Sequence, residues 1–247
     1  MKDNFSTRSD QYAKYRPGYP PELFDYLDSL VPGKKTAWDC GTGNGQVAYE
    51  LAKLFDQVYA TDISAAQMEQ APTVPNIFYS VQPAEQTDFP EGLFDLVVVA
   101  QAIHWFDFEK FYSEVRRTSK PGALIAVTGY GRINVAPELD AVIDDFYHNV
   151  IGPYWDQERR YIEEHYTTIP FPFEEIEAPR FVLKRHWTLE HLIGYLNTWS
   201  AVKHFIGQQG YNPVDRLSPV LERHWGTQPI REVQFPLLLR IGRIHTA

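Results

Sequence analysis

A single cysteine, Cys40, stands in 247 residues. One thiol can form neither an internal disulfide nor a cysteine metal cluster, which fits a reducing compartment. Positive charge is also scarce: 23 Lys and Arg against 32 Asp and Glu give a net charge of −9 and a pI near 5.4. Binding along DNA or RNA draws most of its affinity from clustered Lys and Arg, so no nucleic-acid partner is expected. No apolar run approaches the length that spans a bilayer, and Met1-Lys2-Asp3-Asn4-Phe5-Ser6 is too polar for a secretory leader. The expectation is a cytoplasmic chain with no membrane partner, acting as a monomer or homodimer. His186, His191 and His204 lack the tight His and carboxylate spacing of a zinc helix, so no metal is expected.

What is present is the composition of a folded protein, 44% hydrophobic and 22% charged, without repeats or low-complexity stretches. At this length one α/β domain over 1–247 with an inserted cap is expected rather than two domains. Leu23, Phe24, Leu27 and Leu30 predict a helix over 22–30, stopped by Pro32-Gly33. A strand over 36–40 runs into a glycine-rich turn, and Val47, Ala48, Leu51, Ala52 and Phe55 then recur with a helical period. Further strands are predicted over 57–61, 77–81, 96–100 and 123–128, with a turn at Lys120-Pro121-Gly122 and with Ser64 and Asp107 capping intervening helices. The run Leu96-Val97-Val98-Val99-Ala100 suits a parallel strand covered by helices on both faces.

Ahead of this core, residues 1–20 are rich in Tyr, Arg and Pro and read as a lid segment. From about 130 to 230 amphipathic helices dominate, Leu139, Val142, Ile143, Phe146, Tyr147 and Val150 being the clearest face, and this span reads as a helical cap. Within it a strand is predicted over 181–187 and a helix after Thr188, while Pro213 and Pro219 leave the next helix poorly defined. The tail alternates at Val233, Phe235, Leu237, Leu239 and Ile241, a closing strand whose regular pairing is expected to begin after Pro236.

The chemistry concentrates in Asp39-Cys40-Gly41-Thr42-Gly43-Asn44-Gly45. A glycine turn between strand and helix lets backbone approach a ligand, and the helix N-terminus offers free N–H groups to an anion such as an amino-acid carboxylate. The spacing is Gly-x-Gly-x-Gly, not the Gly-x-Gly-x-x-Gly of pyrophosphate binding, and Asp39 ahead of it repels a pyrophosphate but suits a zwitterionic amino acid and a sulfonium. Asp62, at the next strand end, can accept hydrogen bonds from both ribose hydroxyls. Beyond the fourth strand, His104 and Trp105 form the best catalytic pair: an imidazole that can accept a proton, and an indole that can wall a pocket beside a sulfonium. The bland alternative has His104 capping a helix and Trp105 filling the core.

At these residues the chain resembles class I methyltransferases, and more closely the trans-aconitate methyltransferase-like branch, known as methyltransferase type 11. The resemblance is carried by Tyr12 to Pro20, Asp39 to Gly45, Ala84-Glu85, Gln101-Ala102-Ile103-His104-Trp105-Phe106 and Thr198-Trp199-Ser200. It implies a Rossmann-like α/β fold whose seven-stranded mixed sheet runs 3-2-1-4-5-7-6, strand seven antiparallel, with S-adenosyl-L-methionine across the strand ends. It further implies Asp39, Gly41, Thr42 and Gly43 at the methionyl part, Asp62 at the ribose, Ile63 and Met68 at the adenine, Ala84 and Glu85 at the adenine edge, and Gln101 near the sulfonium. Tyr12, Tyr15 and Arg16 would close the lid. Pro83 stands where relatives often carry an Asp, leaving that contact to a backbone carbonyl or Glu85.

The function expected is S-adenosylmethionine-dependent methyl transfer to an oxygen of a small-molecule acceptor, a carboxylate being one candidate. An ionised carboxylate is already a nucleophile and needs no base, so positioning would dominate. Its cationic anchors would come from Arg16, Arg132, Arg180 and Lys203. For Trp199 the favoured reading is packing against Leu196 and Phe205. The alternative function is a non-catalytic cofactor-binding regulator or partner-binding module. A nicotinamide oxidoreductase is disfavoured by the glycine spacing and by Asp39.

Overall fold

A computed structural model describes residues 14–245. Its centre is β1 (Thr36–Cys40), buried at all five positions between β2 (Gln57–Asp62) and β4 (Phe94–Ala100), both parallel to it. β4 reads Phe-Asp-Leu-Val-Val-Val-Ala and is buried along six of its seven residues, as a strand covered on both faces requires. Phe24 and Leu27 of α1 (Pro21–Leu30), with Val47, Ala48 and Leu51 of α2 (Gln46–Leu51), cover one face. Phe111, Tyr112 and Val115 of α4 (Phe108–Thr118) cover the other, packed with Trp38. Between α2 and α4 lie the one-turn helix α3 (Ala65–Met68) and β3 (Ile77–Val81). Ser64 Oγ accepts from Gln67 N (3.3 Å) and Asp107 Oδ1 from Lys110 N (3.3 Å), so both expected caps form.

The sheet order is β3-β2-β1-β4-β5-β8-β6, completed by β5 (Ser119–Tyr130), β6 (Glu174–Ile176) and β8 (Arg231–Arg243). β8 runs antiparallel to both β5 and β6 and occupies the place expected for strand seven. An eighth strand, β7 (Val182–Trp187), pairs only with β8.

Three local expectations are corrected. The stretch Lys120-Pro121-Gly122 is no turn before a strand: β5 already begins at Ser119, and the register slips from Phe94↔Ser119 to Leu96↔Leu124 around it. Gly122 takes φ +78 there and Pro121 lacks a donor, so the irregularity falls on residues suited to a bulge. Pairing of β8 does not wait for Pro236: residues 231–236 pair with β7 and residues 237–243 with β5, so the proline sits at the change of partner. Around Pro219 the helix is well formed, as α9 (Pro213–Trp225). Pro213 takes the first turn, where no N–H is needed, and the carbonyl that Pro219 leaves unpaired lies on the exposed face.

Between β5 and β8 the chain also forms α5 (Pro137–Asp145), a π-turn (Phe146–Val150), α6 (Arg160–Glu163), α7 (Leu189–Asn197) and α8 (Ser200–Gln209). Leu139, Ile143, Leu192, Leu196, Val202 and Leu221 join Trp187, Trp199 and Phe235 in a second apolar core. Trp199 packs on Phe146, Tyr147, Trp155 and Tyr195, with ring centroids 5.6–6.4 Å apart, rather than being confined to Leu196 and Phe205. Among the described residues no helix is long and apolar enough to cross a membrane.

Asp95, inside β4, ties three segments together. Its Oδ2 accepts from Lys35 N (3.1 Å) and Thr36 N (3.0 Å), and Lys120 Nζ lies 2.8 Å from both oxygens. Burial raises its pKa, but Lys120 and the backbone donors outweigh that and hold the carboxyl below its ordinary value. Asp95→Ala should therefore lower stability by about 2–4 kcal/mol in urea melts. In the parent chain this contribution should be complete above a pH of about 4 and be lost as pH falls below it, since the folded-state pKa is depressed.

Candidate active site

The turn after β1 is shaped by three left-handed glycines, Gly41 (φ +74), Gly43 (φ +55) and Gly45 (φ +77). A Cβ at Gly41 would stand 2.6 Å from that of Ala102, and one at Gly43 would stand 2.9 Å from Gln67 Oε1. Gly41 N and Thr42 N both donate to Thr61 O, at 2.8 and 2.9 Å, clamping the turn to β2. Asp62 at the end of β2 clamps it again: Oδ2 accepts from Gly43 N (2.9 Å) and Oδ1 from Ser64 N (2.9 Å).

Asp39 has no exposed surface. Its Oδ2 accepts from Thr42 Oγ1 (2.6 Å) and Ala48 N (2.9 Å), while Oδ1 is buried with no hydrogen-bond partner among the described residues. Burial pushes its pKa up to about 7, against the opposing pull of Thr42 and Ala48. An orphaned, desolvated carboxylate oxygen beside a turn where Cβ atoms would clash is a cradle for a ligand bearing a cation.

A cavity opens over this turn. It brings together nine residues singled out in the sequence: Arg16, Asp39, Gly41, Thr42, Gly43, Asp62, Ile63, Gln101 and Trp105. Three others do not line it. Met68 is half-buried on α3, Ala84 is packed in the core with Phe89 and Phe106, and Glu85 Oε1 accepts from Asp107 N (3.1 Å) at the start of α4. Tyr12 lies outside the described residues. Gln67, buried and against Gly43, lines the cavity in the direction expected of Met68. With Ser64 as cap and a single helical turn, the third residue on faces the glycines. That phase was readable from Ser64.

A second cavity adjoins the first and shares Arg16, Gln101 and Trp105 with it. His104, Trp155, Asp156, Arg159 and Ser200 complete most of its wall. Gln101 sits at the divide with φ +55, a conformation a non-glycine residue rarely holds, and its Nε2 donates to Tyr130 O (3.0 Å). Arg16 reaches across from the N-terminal segment: Nε donates to Thr198 Oγ1 (2.9 Å) and Nη1 to Tyr130 Oη (3.2 Å). Among the other anchors considered, Arg132 pairs with Asp144 (2.6 Å), and neither it, Arg180 nor Lys203 lines either cavity. Arg159 does, and sequence reasoning missed it. Its Nε donates to Tyr147 Oη (2.9 Å), and its guanidinium lies 4.7 Å from the Trp155 ring centroid.

Burial, and then the nearby charge of Arg159, push the pKa of His104 down to about 3, so the ring is neutral at physiological pH. A pKa this low makes a weak base near neutrality and suits a hydrogen-bonding role.

The comparisons agree with this geometry. A family model described as a methyltransferase domain matches residues 38–127. A Dictyostelium discoideum protein with a provisional methyltransferase name is 31% identical over 98% of this chain and 95% of its own. A solved structure from Anaeromyxobacter dehalogenans, provisionally described as a type II methyltransferase, is 41% identical with a TM-score of 0.86, covering 94% of this chain and all of that one. At the level of fold alone, a Haemonchus contortus phosphoethanolamine N-methyltransferase with S-adenosylhomocysteine bound aligns with 98% of this chain and 58% of its own (18% identity, TM-score 0.50). The chain belongs to the class I S-adenosylmethionine-dependent methyltransferases. S-adenosylmethionine is its cofactor, and the glycine turn with the orphaned Asp39 oxygen fits that zwitterionic sulfonium.

Two outcomes follow for cofactor binding. Asp62→Ala should weaken S-adenosylhomocysteine by about 2–4 kcal/mol in calorimetry, the scale of charged hydrogen bonds lost at a buried site. Because Asp39 has a raised pKa, the folded chain holds the extra proton between a pH of about 4 and 7, and a cationic ligand must displace it. Affinity should therefore fall as pH drops below about 7, by up to tenfold per unit, and Asp39→Asn should flatten that slope.

Proposed function

We propose that this methyltransferase acts on an oxygen of a small-molecule acceptor, a carboxylate, held in the second cavity beneath a cap formed by the helices between β5 and β8. The observation that carries this is the pair of guanidiniums, Arg16 and Arg159, on the wall of a cavity that shares three residues with the cofactor cavity. Arginine presents a planar fork matched to a carboxylate, and cation-aromatic contact with Trp155 keeps that of Arg159 in place. A net charge of −9 argues in the same direction, against a polyanionic acceptor.

In this reading Asp39 Oδ1 completes the cationic amino group of the cofactor, Asp62 takes the ribose hydroxyls, and Gln67 and Ile63 border the nucleoside. Bound S-adenosylmethionine supplies an electrophilic methyl group on sulfur. The chain's own task is positional: Arg16 and Arg159 neutralise and orient the acceptor, Trp105 and Gln101 set the passage between the cavities, and the aromatic wall excludes water. An ionised carboxylate needs no proton removed, which agrees with a neutral His104 acting as a hydrogen-bond partner.

Screening small carboxylic acids, phenols and amines for acceptor-dependent formation of S-adenosylhomocysteine tests the reading. Turnover of carboxylic acids is expected, and turnover of amines alone would overturn it. With the acceptor in hand, Arg159→Gln should lower kcat/KM for that acceptor about tenfold to a hundredfold while cofactor affinity changes less than about twofold.

A further inference from the structure

Two consecutive residues after α6, His165 (φ +55) and Tyr166 (φ +60), hold left-handed backbone conformations. For bulky residues this is rare and unfavourable, so surrounding structure must impose it. Here it does. Tyr166 N donates to Tyr161 O (2.7 Å), and Arg240 of β8 donates through Nη1 to Tyr166 O (3.2 Å) and Ile169 O (2.7 Å). Arg240 is itself held by Glu175, with Nε to Oε1 and Nη2 to Oε2 both at 2.8 Å.

The strained turn drives the Tyr166 ring wholly into the interior, where its hydroxyl passes β5 at Gly129. A Cβ at Gly129 would lie 2.8 Å from that oxygen. The hydroxyl ends 3.4 Å from Nδ1 of His104. His104 is 6% exposed, lines the second cavity, and its Nε2 has no protein partner among the described residues.

We infer that Tyr166 is the positioning residue for His104: its hydroxyl donates to Nδ1, fixes the tautomer that carries the proton on Nε2, and so turns an N–H donor toward the acceptor oxygen. The phenol O–H is the natural donor to an unprotonated imidazole nitrogen. The opposite arrangement would aim the bare Nε2 lone pair at the lone pairs of a carboxylate. This rests on the second cavity holding the acceptor, but the tautomer can be read without any acceptor present.

The test is nitrogen NMR of the full chain labelled with 15N-histidine and bound to S-adenosylhomocysteine, with His104→Gln assigning the signal. A single neutral tautomer with the proton on Nε2 is expected, unchanged between a pH of about 6 and 8. Tyr166→Phe, which keeps the ring and removes the donor, should populate the Nδ1-protonated form. It should also lower kcat about tenfold with little change in cofactor KM. A wild-type spectrum with the proton on Nδ1 would overturn the assignment, and this reading needs no Tyr166 variant to fold. So would an unchanged tautomer in a Tyr166→Phe protein that melts like the parent. A carboxylate screen without turnover, by contrast, strikes the acceptor reading and leaves the tautomer result standing.

Discussion

Asp39 is a carboxylate taken wholly out of water at the end of the central strand and only half satisfied there. One oxygen holds the turn together through Thr42 and the first turn of α2 through Ala48, so the same side chain that faces the ligand site also shapes the loop. The other oxygen has nothing from the described protein, and burial makes that vacancy costly. A cation placed beside this oxygen would offset that cost. In the proposed reading the cofactor's amino group does so, coupling binding to the same carboxylate that builds the cradle.

Around that carboxylate the sheet concentrates its specialised backbone. Three left-handed glycines follow β1, Gln101 takes a left-handed φ after β4, and Tyr166 lies beneath β5 with His104 against it. All lie at the carboxyl ends of parallel strands, where an open α/β sheet leaves its crevice. The helices between β5 and β8 contribute the remaining wall through Trp155, Arg159 and Ser200. Arg16 joins the two halves, because Thr198 belongs to the helical region and Tyr130 to the sheet. The two cavities are in this way defined by shared residues, and in the proposed reading, with the cofactor in one and the acceptor in the other, that suits a reaction whose main demand is alignment.

Local periodicity and turn chemistry carried most of the fold. The apolar run of β4, the helical spacing of α1 and α2, and the caps at Ser64, Asp107 and Thr188 all rest on neighbours in sequence. The errors arose where a distant partner decides. Pro236 breaks no strand because β8 changes partner there, and Pro219 is tolerated because its helix face is exposed. In the site, the gathering of Asp39, Asp62, Gly41 and Gly43 around one cavity was legible because they belong to one strand-turn-helix unit and the strand end beside it. Gln67 was displaced by one position on a helix of a single turn. Arg159 and Tyr166 were not legible at all: Tyr166 meets His104 from 62 residues away, and nothing in either neighbourhood announces the meeting.

If the orphaned oxygen of Asp39 is completed by the cofactor's cationic amino group, deleting that group from the ligand must weaken binding. Calorimetry would compare S-adenosylhomocysteine with its deaminated analogue on the wild-type chain. Affinity for the analogue should be about tenfold to a hundredfold lower, the scale of one charged hydrogen bond at a buried site. Equal affinity for the two ligands would contradict it.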